Sequence, residues 1–184
     1  MLAVTGWRAE TQAPMESKGL FIAAPHTSGA DLFFMLGVAW TLRIRLSWIG
    51  KSELFRWPMG PIYRAMGGIP VERGSRTDQV RSLADEFERV DAMYLAIAAP
   101  GTRKRQETWK SGFYYIAQEA RVPLLCGFLD YKRKVGGIGP LIALSGDLRT
   151  DMDKIRAFYE TITPRCISRK SGIRLKDEDS PANL

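Results

Sequence analysis

Short apolar runs alternate along this chain with longer stretches in which apolar residues recur at helical spacing. Residues 20–24 are apolar throughout and stop at Pro25, the pattern of a strand buried on both faces. Residues 31–42 read as a helix that is apolar nearly all round, which predicts deep burial. Residues 45–49 read as a second strand. Ser52 and Glu53 then open a helical stretch broken at Pro58 and Pro61, and residues 68–72 read as a third strand. Thr77 or Asp78 is predicted to cap an amphipathic helix with Val80, Leu83, Ala84, Phe87 and Val90 on one face. Further strands are predicted over 93–98 and 123–129, with a short helix over 112–120 between them. A strand or hairpin over 134–144 and a closing helix over 151–162 complete the pattern.

This alternation implies an α/β fold: a single-domain, mostly parallel or mixed sheet flanked by helices. The 184 residues suffice for one core without staples. Residues 1–163 are expected to form that domain. Residues 164–184 are polar and rich in Pro, Lys and Asp, and are expected to be a loosely ordered tail. No internal repeat is present.

The only histidine is His26, in the stretch Pro25-His26-Thr27-Ser28-Gly29-Ala30-Asp31. Imidazole is the side chain that ordinarily titrates near neutrality, so histidine chemistry in this chain must happen there. On one continuous helix His26 and Asp31 would point about 140° apart. The strand before Pro25 and the Ser28-x-x-Asp31 helix-start signature predict instead a turn that carries His26, with Asp31 in the first helical turn below it. A carboxylate so placed can hold one ring nitrogen while the other faces a substrate. Taken alone, the two residues are more often a capping box and an unrelated histidine.

Three more segments sharpen the reading. Gly67-Gly68-Ile69-Pro70-Val71-Glu72-Arg73 reads as a strand ending in an arginine, and residues 95–103 as a strand running into Gly101-Thr102-Arg103. Val122-Pro123-Leu124-Leu125 opens another apolar strand. With the His26 segment and in this order, they resemble the four sequence blocks of the glycerolipid acyltransferase superfamily, which includes the lysophosphatidate (1-acylglycerol-3-phosphate) acyltransferases. The resemblance covers about residues 20–130. It departs from the family at Pro100, where a glutamate thought to help position the acceptor usually stands. Proline has no carboxylate and no N–H to donate, a difference that bears on activity more than on fold.

The resemblance implies a glycerol-phosphate acyltransferase-like fold and transfer of a fatty acyl group from acyl-CoA or acyl carrier protein to a lysophospholipid hydroxyl. His26 would be the general base and Asp31 its orienting carboxylate. Arg73 and Arg103 would hold phosphate, since guanidinium forks fit phosphate oxygens. Gly101 would permit a tight turn whose amides face the anion, and Thr102 would cap that turn or touch the ligand. Two other readings stay open: a non-catalytic lipid- or anion-binding protein of the same fold, and an acyl-CoA thioesterase. An apolar slot for the chain is sought among Phe55, Trp57, Met59, Ile62, Tyr63 and Met66, a cluster that also reads as plain core or as a membrane-touching segment.

Charge narrows the partners. A net charge of +7 and a pI near 9.6 favour anions, and phospholipid surfaces or phosphorylated molecules fit better than nucleic acid, for which no finger or recognition motif is present. No metal site is expected from one histidine and ungrouped cysteines, and no cofactor beyond the acyl thioester co-substrate. The apolar stretch over 32–42 is far shorter than the roughly 20 residues that span a bilayer. With Cys126 and Cys166 too few for a disulfide scaffold and no secretory leader in the opening residues, the expectation is a cytoplasmic protein. It would sit peripherally on the inner face of an anionic membrane.

Overall fold

The structure, a computed structural model, describes residues 5–12, 16–71 and 76–178. Seven strands form one sheet: β1 (Arg8–Thr11), β2 (Lys18–Ala23), β3 (Leu46–Lys51), β4 (Gly68–Val71), β5 (Met93–Ile97), β6 (Leu124–Asp130) and β7 (Val135–Ile142). Their order is β1-β7-β6-β2-β5-β3-β4. The pairs β6/β2, β2/β5, β5/β3 and β3/β4 are parallel, while β7 runs antiparallel to β6 and carries β1 parallel to itself. The helices are α1 (Asp31–Thr41), α2 (Gly60–Ala65), α3 (Arg76–Glu88), α4 (Gly112–Glu119) and α5 (Leu148–Glu160). The architecture is therefore the mixed, mostly parallel α/β sheet that the alternating pattern predicts. No helix among the described residues is long and apolar enough to cross a membrane.

The period of two along each strand sorts side chains into two layers. On one face Leu20 and Ile22 of β2, Leu95 and Ile97 of β5, and Leu124 and Cys126 of β6 pack with Phe87 of α3, Phe113 of α4 and Ile155 of α5. On the other face Phe21, Ala96, Leu125 and Ile138 meet Leu36 of α1, together with Trp48 and Phe55. Tyr159 of α5 ties β2 and β6 together at the sheet centre. Its hydroxyl donates to Ile22 O at 2.6 Å and Gly127 O at 2.9 Å, the carbonyls where β2 and β6 run out toward the His26 turn.

Four expectations differ from what is observed. Strand β1 is too short and polar to register as a strand by pattern, yet it joins the sheet edge and brings Trp7 into the interior. Helix α1 is buried along one stripe only: Phe33 and Trp40, seven residues apart, expose 55% and 59% of their surface. Helix α3 already includes Arg76, so Thr77 and Asp78 lie in its first turn and not before it. The polar stretch from Pro164 packs, as far as Glu178, against the core. Leu175 is fully buried and bridges to Trp109, Gln106 N–H donates to Ser171 Oγ, and Lys170 Nζ donates to three carbonyls at the end of α5. A few apolar anchors spaced through a polar stretch are enough to dock it, and composition averages them away.

Replacing Tyr159 by Phe removes the hydroxyl from Ile22 O and from Gly127 O, which keeps the Ala24 N–H at 3.4 Å, at an expected cost of about 1 kcal/mol. Chemical denaturation of the two proteins checks this, and an unchanged midpoint would contradict the role given to the hydroxyl.

Candidate functional site

Five parallel strands point their carboxyl ends toward one edge of the sheet, and the candidate chemistry gathers there. His26 follows β2, Gly101 to Arg103 follow β5, and Tyr131 follows β6. Between β2 and α1 the chain turns back on itself, and the Asp31 carboxylate fills the turn. Its Oδ2 accepts from the backbone N–H groups of Thr27 and Ser28, both at 2.8 Å, and stands 3.5 Å from His26 Nδ1. The Ser28-to-Asp31 helix start is thus half of a capping box. Asp31 accepts from Ser28 N–H, but the Ser28 hydroxyl accepts from Ala30 N–H and leaves the helix end itself uncapped.

The fourth partner of Asp31 escaped sequence reasoning. Tyr131, one hundred residues away in the chain, donates its hydroxyl to Oδ1 at 2.7 Å. Trp7 and Phe34 wedge the phenol ring, with centroids at 4.9 and 5.9 Å, and the Arg165 guanidinium lies over it at 6.0 Å. An aromatic residue at the end of a predicted strand carries no signal of this kind; only the sheet order brings β6 beside β2. Burial alone would raise the Asp31 pKa. Contacts with His26, Tyr131 and the Ser28 and Thr27 amides outweigh it and hold the carboxyl below its usual range. Burial, followed by the bond to Asp31 and the charge of that carboxylate, pushes the Tyr131 phenol well above its ordinary value.

The C-terminal segment buttresses the same turn from behind. Cys166 N–H donates to Thr27 Oγ1, and Arg169 Nη1 donates to Thr27 O, both at 3.3 Å. Pro100 is buried and lines a narrow void with Pro25, His26, Thr27 and Trp109, which Arg169 and Lys170 border. Where the family usually has a glutamate, this chain has a packing wall flanked by two cations.

A cavity of about 600 Å³ lies between α1 and the sheet. His26, Asp31, Gly101, Thr102 and Arg103 line it, so five of the six predicted residues meet at one opening. Arg73 lies outside the described residues; β4, which leads toward it, ends at the same sheet edge. The Arg103 guanidinium lies over Gly29, with Nη1 2.9 Å from where a Cβ would sit, so this loop position admits no side chain without moving the arginine. Gly101 is held at φ +67°, and Lys110 packs against its open side. Its amide donates to Ala98 O at 2.8 Å, so of the turn amides expected to face an anion that of Gly101 is already used inside the turn. Thr102 both caps and lines: its hydroxyl accepts from Lys104 N–H at 3.3 Å, and it faces the cavity.

Beyond this opening the cavity is apolar, and its origin is a set of small residues on the strand faces under α1. Ala23, Ala96, Ala98 and Gly127 leave the space that larger side chains would fill. Leu32, Met35, Leu42, Ile44 and Leu46 close it. The slot is therefore built mainly by α1 and the sheet, and of the cluster at 55–66 expected from the sequence only Tyr63 lines it. Phe55 and Tyr63 of that cluster stack around Trp48, while Trp57, Met59 and Ile62 face outward.

The sequence matches the acyltransferase family over residues 7–126. In fold, the chain is similar to the crystal structure of the 1-acyl-sn-glycerophosphate (LPA) acyltransferase PlsC from Thermotoga maritima. The TM-score is 0.58 at 16% identity, over 86% of this chain and 73% of that one. None of the curated proteins matches the sequence.

Because its pKa is depressed in the folded state, Asp31 contributes stability that is complete above the ordinary carboxylate pKa of about 3.9 and is lost as pH falls through the folded value. Asp31→Asn, which turns an amide N–H₂ toward bound donors, is expected to lower stability near neutrality by about 1–3 kcal/mol. Denaturation midpoints of the two proteins should converge below about pH 4. A gap that stays constant down to pH 2 would contradict the ionised, donor-held carboxylate.

Proposed function

This chain belongs to the acyltransferase family, and on that premise we propose that it moves a fatty acyl group from acyl-CoA or acyl carrier protein to the hydroxyl of a lysophospholipid such as lysophosphatidate. The observation that carries the reading is the joining of the His26–Asp31 pair to a largely apolar cavity of about 600 Å³, a volume in the range of small-molecule binding sites. The thioester carbonyl sits at the opening and its acyl chain runs beneath α1. Asp31 draws the proton of His26 to Nδ1 and leaves Nε2 to take the proton from the acceptor hydroxyl. That oxygen attacks the thioester carbon, the C–S bond breaks, and the imidazolium returns the proton to the leaving thiolate. A base so placed contributes about 10² to 10⁴ in rate.

Asp31 stays ionised throughout neutral pH and so favours the imidazolium that forms during attack. Arg103 at the opening, with Arg73 beyond β4, holds the phosphate of acceptor or donor. Reaction at an anionic membrane surface suits a lipid acceptor and a net charge of +7.

Thiol release from long-chain acyl-CoA, measured with and without lysophosphatidate, tests the assignment. Acceptor-dependent release that falls about 10²- to 10⁴-fold in His26→Ala, with stability retained, is the expected result. Release that ignores the acceptor would make the protein a thioesterase, and no release from the wild type would leave a lipid-binding protein in which Pro100 has cost the chemistry. A second arm concerns the cavity. Ala96→Leu places three more carbons on its floor and is expected to shift the preferred donor to a shorter chain. An unchanged chain-length profile would mean that the acyl group lies elsewhere.

A further inference from the structure

Apolar surface is exposed around the opening of the cavity. Phe33 of α1 and Leu54, in the 3-10 turn after β3, both line the cavity and still expose 55% and 48% of their area. The chain then continues through Trp57, Met59 and Ile62, exposed by 88%, 43% and 50%. No core contact explains a tryptophan displayed to that extent, and the platform beside it is well packed: Tyr63 meets both Trp48 and Phe55 edge to face, and Trp48 Nε1–H donates to Met66 O at 3.0 Å. Cations surround the patch. Lys51, Arg56 and Arg64 are exposed, with Glu53 the only acid between residues 51 and 66, and Arg103 stands at the opening.

We propose that this surface, Phe33 with residues 54–62, docks the protein onto an anionic lipid bilayer, so that the cavity opens into the membrane interface. The inference rests on the acyl-transfer reading of the cavity and names the face that reading requires. Apolar tips inserted at headgroup depth with a cationic rim above them match the chemistry of an anionic bilayer. A lipid or acyl chain then slides from the bilayer past Phe33 and Leu54 without crossing water, which an opening on any other face would not allow. An acidic protein would be met by the cations but would leave the protruding Trp57 and Ile62 without use.

The test is co-flotation with vesicles of phosphatidylcholine alone and of phosphatidylcholine with phosphatidylglycerol, at low and high salt. Wild-type protein should partition to the anionic vesicles and release with salt. Trp57→Ser/Ile62→Ser should weaken partition about tenfold or more, and Arg56→Gln about fivefold. Val90→Ser, beyond α3 on the opposite face of the sheet, should leave it unchanged. Acyl transfer between detergent-dispersed substrates should survive the Trp57/Ile62 double substitution, whereas transfer to vesicle-borne acceptor should fall with partition. Partition that the double substitution leaves intact, a wild type that does not float, or a dimer that the same substitutions dissociate would each overturn the docking face. Flotation without any acyl transfer from dispersed substrates would instead sink the functional reading and leave the docking face standing.

Discussion

A single carboxylate organises this molecule. Asp31 is taken out of water at the start of a helix that offers it no capping partner, and burying an ion there is tolerable only if donors converge on it. Two backbone amides, a phenol and an imidazole do so. Each comes with structural consequences. The amides of Thr27 and Ser28 fix the turn that carries His26. The phenol requires that Tyr131 be held still, which the buried Trp7 and the half-buried Phe34 achieve, and Trp7 is in place because β1 pairs with β7. The far edge of the sheet is in this way coupled to the orientation of one histidine.

The same α1 layer that carries Asp31 also covers the cavity. A close-packed interior leaves no void of this size unless the lining residues are small, and here small residues recur on strand faces where large β-branched side chains would be usual. The other face of the sheet is filled instead, and there Leu20, Ile22, Leu95, Leu124, Phe113 and Ile155 are fully buried. The molecule thus divides its labour by layer: a dense core under α3, α4 and α5, and a hollow one under α1.

Local features of this arrangement were legible in the sequence. The apolar runs that become β2, β5 and β6, the proline that ends the first of them, and the Gly101-Thr102-Arg103 turn are encoded within a few residues, and so is the approach of Asp31 to His26. Features made by distant pairs were not. Tyr131 reaches Asp31 across one hundred residues, and the docking of Leu175 against Trp109 rests on one apolar residue in a polar stretch. Strand β1, four residues long, has no periodicity to read. The uniform apolarity of α1 predicted burial all round because pattern cannot tell a core stripe from one turned toward solvent, as Phe33 and Trp40 show.

With one histidine in the chain, the imidazole signals in a ¹⁵N–¹H correlation spectrum belong to His26 alone. Recorded at a pH where the ring is neutral, the spectrum reports which nitrogen carries the proton. The expected result is the Nδ1–H tautomer, held by Asp31, with Nε2 unprotonated at the mouth of the cavity. A neutral ring protonated at Nε2 would contradict the assignment of His26 as the base.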